Sequence, residues 1–300
     1  MIWDKRMSAI PEKLSSFKNN KQIPMFTLNC KGRLLAFDRP LIMGIINTTP
    51  DSFYRGSRHG ETDEVLRTAE QMIKSGAAIL DIGGQSTRPG SRWLGAEEEL
   101  SRVLPSIEAI SSRFPEIVIS IDTFHALVAR RAVEAGASIV NDISAGSMDE
   151  ALIKTVAEWQ VPYVLMHMQG TPRDMQQAPQ YGNVVTEVFD FLAHKIVELR
   201  EAGVCDIILD PGFGFGKTID HNFQLLRKLE VFTAMGVPLL AGLSRKSTIY
   251  KTLGTTAEEA VNGTTVLNTI ALQKGAAILR VHDVKEAREC VLLLERYHLA

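Results

Sequence analysis

From Leu41 onward the chain alternates short apolar runs with longer stretches in which apolar residues recur at helical spacing. The runs are Leu41–Asn47, Ala78–Gly83, Ile117–Asp122, Ser138–Asn141, Tyr163–His167, Ile207–Asp210, Pro238–Gly242 and Ala277–His282. They are near-continuous rather than alternating, the pattern of parallel strands buried on both faces. Between them, Val65, Leu66, Ala69, Met72 and Ile73 fall on one helical face. Glu64, Arg67, Glu70 and Lys74 lie outside it, and Thr62 is placed as the N-cap. Gly76, Gly136, Gly203, Gly236 and Gly275 close helical stretches, where a left-handed residue stops the helix. Eight βα units without a break predict an α/β chain folded as a single (β/α)8 TIM barrel, with a doubly wound open sheet as the alternative.

The remainder bounds the picture. Residues 1–22 read as a polar N-terminal extension and 23–300 as the barrel domain. Phe26–Asn29 and Arg33–Phe37 flank Cys30-Lys31-Gly32, which predicts a β-hairpin capping the barrel bottom. A hydrophobic fraction of 45% with net charge −2 excludes a disordered chain, and 33 Lys+Arg against 35 Asp+Glu argues against a dedicated nucleic-acid binder. No apolar run approaches the roughly 20 residues of a membrane span. The start lacks the apolar core of a secretory signal, and Cys30, Cys205 and Cys290 form no CxxC pair. The expectation is a cytoplasmic protein with neither nucleic acid nor membrane as partner.

Nearly every predicted strand ends in a polar residue: Asn47, Asp81 before Gly83-Gly84-Gln85, Asp122, Asn141-Asp142, His167, Asp210, Ser244-Arg245-Lys246-Ser247, and Arg280 with His282. In a barrel these ends meet at the face where catalysis is found. One or two of them, Asp142 and the downstream Asp51 among them, fit equally well as caps or loop braces. Asp122, Asn141 and Asp210 form an acceptor-rich floor suited to an amino-heterocycle. Metal ligation by the two Asp is the competing use, and a hard cation such as Mg²⁺ would sit with phosphate and Asn47. Arg245, Lys246, Arg280 and His282 together predict an anion site. Asp210-Pro-Gly-Phe-Gly-Phe-Gly-Lys217 fails the P-loop pattern by one position, and its glycines would instead let backbone lie close to a flat ligand.

Seven segments in order and spacing resemble the dihydropteroate synthase family: Met43–Phe53, Asp81–Gly90, Ser120–Thr123, Asn141–Ile143, Asp210–Lys217, Gly242–Ser247 and Arg280–Val284. The resemblance runs from about Pro40 to the end, with Thr48 and Gln85 standing where the family more often has Val and Glu. It implies condensation of 6-hydroxymethyl-7,8-dihydropterin diphosphate with p-aminobenzoate to dihydropteroate and diphosphate, a step of folate biosynthesis and a sulfonamide target. By the same resemblance Asp122, Asn141, Met166, Asp210, Phe215, Gly242 and Lys246 would hold the pterin. Asn47, Arg88, Arg280 and His282 would hold the diphosphate, with Asn47 also on Mg²⁺. Phe53, Thr87, Arg88, Pro89, Phe215 and Ser247 would shape the p-aminobenzoate site. Asp122, Asp210 and Lys246 would carry catalysis through an SN1-like pterin cation, and the chain would be a homodimer. The loops 48–60 and 84–95 would close over the diphosphate.

Two rivals share the barrel. A pterin-dependent methyltransferase would need the acceptor floor but not Ser86–Pro89 or cations around an anion. A catalytically dead paralogue serving as a scaffold would have lost several strand-end residues, and the main ones are present.

Overall fold

The computed structural model describes residues 23–48, 58–85, 93–171, 175 and 178–300. The predicted extension 1–22 lies outside them. A two-stranded antiparallel ribbon comes first, β1 (Phe26–Cys30) and β2 (Arg33–Phe37). Its turn is Lys31-Gly32, both at positive φ (57° and 85°), the geometry that matches the right-handed twist of a two-residue hairpin. Asn29 Oδ1 holds the turn by accepting the Gly32 N–H at 2.7 Å.

The barrel follows, beginning with β3 (Leu41–Asn47), α1 (Arg58–Lys74), β4 (Ile79–Gly83), α2 (Ala96–Arg113), β5 (Val118–Asp122), α3 (Ala126–Ala135), β6 (Ile139–Asp142) and α4 (Ala151–Trp159). The second half runs β7 (Tyr163–Met166), α5 (Val184–Glu201), β8 (Ile207–Asp210), α6 (Ile219–Arg227), a 3₁₀ segment (Leu229–Met235), β9 (Leu240–Ala241), α7 (Ser247–Leu253), α8 (Val261–Gln273), β10 (Ile278–Val281) and α9 (Val284–Leu299). The eight parallel strands pair in the order β8-β7-β6-β5-β4-β3-β10-β9, and a parallel bridge between Leu209 and Leu239 joins the two ends. All eight predicted runs are therefore strands and the sheet closes. The helix predicted from Asp63 begins earlier, at Arg58, so Thr62 lies inside α1 rather than capping it. The five predicted helix-stopping glycines all carry positive φ, from 69° at Gly236 to 125° at Gly136.

Strand periodicity sorts the core. Met43, Ile79, Val118, Ile139, Val164, Ile208, Leu240 and Ile278 point inward at the lower end and pack with Leu28, Cys30 and Phe37 of the hairpin. Their neighbours, such as Ile42, Leu80, Ile119, Val140, Leu165, Leu209 and Leu279, face outward against the helices. Lys31 Nζ reaches the Val133 carbonyl at 2.6 Å, and the Asn29 N–H donates to Asp206 Oδ2 at 2.7 Å, tying the hairpin to the barrel. The hairpin is thus a plug, as predicted. Leu28 is 1% exposed beneath the barrel. Leu28→Ala is expected to lower unfolding free energy by about 2–5 kcal/mol with an unchanged denaturant slope. A loss below about 1 kcal/mol would mean that the plug is not part of the cooperative unit.

Candidate active site

Two residues beyond the apolar layer, the same inward face changes character. It carries Ile45, Asp81, Ser120, Asn141, Met166, Asp210, Gly242 and Arg280, and a further step up β5 brings Asp122. Because alternate strand residues share a face, every polar group of this set enters the barrel mouth. The next residue on β6, Asp142, points the other way. It accepts from Ser144 N–H and hydroxyl, from Gly146 N–H (each 2.7 Å) and from Tyr163 hydroxyl (2.6 Å), and so braces the loop after β6.

Arg280 lies across the floor. Its Nε donates to Asp81 Oδ2 at 2.6 Å and its Nη2 donates to Asp122. Asn141 Nδ2 donates to the same Asp81 oxygen at 3.0 Å. Asp210 accepts the Gly212 N–H at 2.7 Å. Its other oxygen faces Gly242, where a Cβ would stand 3.7 Å from both Asp210 Oδ2 and Lys246 Nζ. Burial pushes both the Asp122 and Asp210 carboxyls above the usual range, with Arg280 opposing at Asp122 and Lys246 opposing at Asp210. Burial likewise lowers the Lys246 ammonium to about 8, against the pull of Asp210.

The glycine-rich segment after β8 is held from below and above. Lys217, 2% exposed, places Nζ 2.9 Å from the carbonyls of Gly212 and Phe215, 3.2 Å from that of His167, and 2.9 Å from His167 Nδ1. Burial and the neighbouring ammonium depress the His167 ring to about 3, so it is neutral and accepts from Lys217. His167, counted among the predicted strand-end site residues, therefore anchors a loop and leaves the mouth. Gly212 has φ +73°, and a Cβ there would fall 1.8 Å from the His167 carbonyl oxygen, so only glycine fits. From above, Lys246 Nζ donates to the Phe213 carbonyl and stands 4.6 Å from the Phe215 ring centroid. Thr218 then caps α6 through a reciprocal pair with His221.

The four cations predicted to converge do not. Arg245 forms a bidentate pair with Asp283 at 2.7 and 2.9 Å, since its fork fits that carboxylate, and it ties the turn after β9 to the turn after β10. Lys246 and Arg280 join the carboxylate floor. His282 is exposed, hydrogen-bonded to Ser244 Oγ at 3.0 Å, beside a cleft of about 690 Å³ that Arg67 and Lys285 also line. Asn47 is half-buried at the end of β3, and Ser247 begins α7. Phe53, Asp51, Thr87, Arg88 and Pro89 lie outside the described residues.

The mouth also has an apolar side that sequence reasoning found only in part. Met166 and Phe215, both predicted, cluster with Phe124, Ile143 and Met175, and Trp93 and Met168 pack against them. The Trp93 and Phe124 ring centroids are 4.9 Å apart. Phe124, Ile143 and Met168 stand one or two places past a strand end, which is the signal that would have found them; Met175 and Trp93 lie deeper in the loops and carry none. Asp81 lies on the same inward face, fully buried beneath Asn141 and Arg280. Gln85 Oε1 accepts the Leu94 N–H at 2.8 Å and fastens the base of the loop between β4 and α2, a task either a Gln or a Glu oxygen performs.

Carboxylates, an amide and two cations on the floor, with sulfur and aromatic rings beside them, define a barrel enzyme for a flat ligand rich in N–H donors. A family model described as pterin binding enzyme matches residues 43–282. The chain is 44% identical over 270 residues to the dihydropteroate synthase of Escherichia coli (strain K12), covering 89% of this chain and 95% of that one. It also superimposes on the Xanthomonas albilineans dihydropteroate synthase solved with 4-aminobenzoic acid (TM-score 0.86, 41% identity, 92% of this chain and all of that one, 100%). The same enzyme in complex with 7,8-dihydropteroate gives TM-score 0.83 at 39% identity, with 92% and 100% covered. The chain belongs to the pterin binding enzyme family.

Lys246 generates a pH prediction with two signs. Between about 8 and its ordinary 10.5 the unfolded chain binds the proton that the folded chain has released. This residue alone therefore makes folding stability rise with pH in that window. Heterocycle affinity that uses its charge falls as pH rises through about 8. Titration calorimetry and denaturant melts from pH 7 to 10 should show both trends in wild type; in Lys246→Met the affinity trend is expected to vanish and the stability rise to shrink to the share of buried Lys217, whose ammonium is also depressed by burial. Parallel profiles would assign the effects to another group.

Proposed function

We propose that this chain joins 6-hydroxymethyl-7,8-dihydropterin diphosphate to p-aminobenzoate, releasing diphosphate and forming 7,8-dihydropteroate, the reaction of the synthases it resembles. The observation that carries this reading is the floor itself: Asp122, Asn141, Asp210 and Lys246 face one mouth, with Gly242 leaving room over Asp210. The acceptors take the heterocycle's N–H donors, and the Lys246 ammonium donates to its ring acceptors. Met166 and Phe215 line its faces.

The bond from the pterin methylene carbon to the diphosphate oxygen breaks, and its electron pair leaves with diphosphate. The positive charge spreads over the pterin, where Asp210, with Asp122, stabilises it. The p-aminobenzoate nitrogen then forms the new C–N bond with its lone pair and gives one proton to solvent. No covalent enzyme intermediate arises. Mg²⁺ fits this reading as a companion of the diphosphate. Asn47 offers one hard oxygen, its side chain bonding to no described residue, and Mg²⁺ commonly fills its shell with waters and phosphate oxygens. Among the described residues no group of three or more His, Cys, Asp or Glu is set to hold an ion alone. The metal would neutralise charge on the leaving group. Arg280 and His282, with Arg88, are the cations assigned to the diphosphate. Loops 48–60 and 84–95, the first of them running into α1 at Arg58, are assigned the closure that completes the p-aminobenzoate site.

Among the described residues no helix is long and apolar enough to cross a membrane. A cytosolic location and a homodimer complete the reading. Leu267 and Ala271 on α8 and Ala260 just before it are core, but Val266 on α8 is 50% exposed and Leu253 at the end of α7 60% exposed. Light scattering is expected to give twice the chain mass for wild type and a shift toward monomer for Val266→Glu. A wild-type monomer at micromolar concentration would remove the dimer.

Turnover should require Mg²⁺ and be blocked competitively by sulfonamides against p-aminobenzoate. Asp210→Asn is expected to lower kcat by about 10²–10³ while changing pterin affinity less than about tenfold, since its charge matters most when the cation forms. Equal losses in both would refute that role, and tight pterin binding without product would sink the enzyme reading.

A further inference from the structure

We propose that Asp81 is a positioning residue for the heterocycle, a carboxylate that fixes the direction of the Asn141 amide and the plane of the Arg280 guanidinium. The inference rests on the pterin reading of the site and assigns a residue that the resemblance left without a role. Asp81 is fully buried, and its Oδ2 receives both Arg280 Nε (2.6 Å) and Asn141 Nδ2 (3.0 Å).

A carboxylate paired with a guanidinium has only lone pairs to offer. Asn141 is therefore obliged to turn its NH₂ toward Asp81 and to present its carbonyl oxygen to the mouth. That converts an amide with two possible faces into a fixed acceptor. The same oxygen anchors Arg280 at Nε, which leaves Nη2 to reach Asp122. One carboxylate thereby orients an amide and, through the guanidinium, a second carboxylate, both on the floor that takes the ligand.

Pairing Arg280 calls for a carboxylate nearby, but packing does not explain why it stands at this level of the barrel. Among the described residues Asp81 Oδ1 is buried without a partner, as is the hydroxyl of Ser120, its register neighbour on β5. Leaving such groups unpaired costs free energy, and apolar replacements of buried ionic clusters are often neutral or stabilising. On the other side, the register neighbour of Asp81 is Ile45, which fills the same level of the barrel with hydrocarbon. Packing alone would be served by an aliphatic residue here too.

The test is titration calorimetry with 6-hydroxymethyl-7,8-dihydropterin diphosphate and Mg²⁺ on wild type, Asp81→Asn, Asn141→Ala and the double variant. Asp81→Asn is expected to weaken binding roughly tenfold or more, with the KM for p-aminobenzoate changed less than about twofold. In the Asn141→Ala background the same substitution should cost distinctly less, because the two act as a unit. Unchanged affinity in Asp81→Asn, or strictly additive losses, overturns the assignment while leaving the pterin reading intact. Wild type that binds no pterin overturns the pterin reading itself. A second measurement needs no folded variant at Asp81. In wild type, one Asn141 side-chain amide proton, assigned by its loss in Asn141→Ala, should exchange slowly with solvent. Free exchange of both protons would show that Asp81 does not hold it.

Discussion

Arg280 lies between two carboxylates at the top of a barrel whose lower half is hydrocarbon, and most of the site follows from that placement. A guanidinium in that position has to be paired, and Asp81 and Asp122 pair it from neighbouring strands. The pairing leaves Asp210 and Lys246 to face one another across Gly242, on the opposite side of the mouth. Three carboxyls and two cations meet on the floor, and burial holds Asp122 and Asp210 above the usual carboxylate range. Such a surface accepts N–H donors in the resting complex and favours positive charge on whatever lies above it.

The glycine-rich segment shows how two lysines of similar appearance divide their labour. Lys217 spends its ammonium on backbone carbonyls and on His167, so its charge is consumed in fixing a loop. Lys246 is held by one carbonyl and one ring, and it remains part of the floor. The Phe215 carbonyl is tied down by one lysine and the Phe215 ring is covered by the other. The loop is thus a rigid wall of the mouth, although glycines make up much of its sequence.

The barrel was legible because its evidence is repeated eight times. Continuous apolar runs, helix-stopping glycines and polar strand ends all recur at the same phase, and parity alone places Asp122, Asn141 and Asp210 inward. What the residues could not reveal was partner choice. Arg245 and Arg280 look alike in sequence, yet one is claimed by Asp283 at the rim and the other by Asp81 in the floor. His167 ends its strand as Asn141 does, but a lysine fifty positions away in the chain, Lys217, draws it aside. Asn141 and Asp142 are adjacent and polar, and only the strand's two-residue period gives them opposite tasks. The apolar side of the mouth was half visible, since Trp93 and Phe124 meet only when the loops after β4 and β5 come together.

The hairpin at the far end has an electrostatic consequence. By filling the lower opening with Leu28, Cys30 and Phe37, it turns a tube into a cup. Water and its high dielectric then reach the charged layer from one direction only. Field from the buried carboxylates is poorly screened downward and sideways, so it is felt most strongly along the single open axis, where a ligand enters. A cap made of ordinary apolar residues, far from any chemistry, thus helps set how strongly the floor acts on the molecule above it.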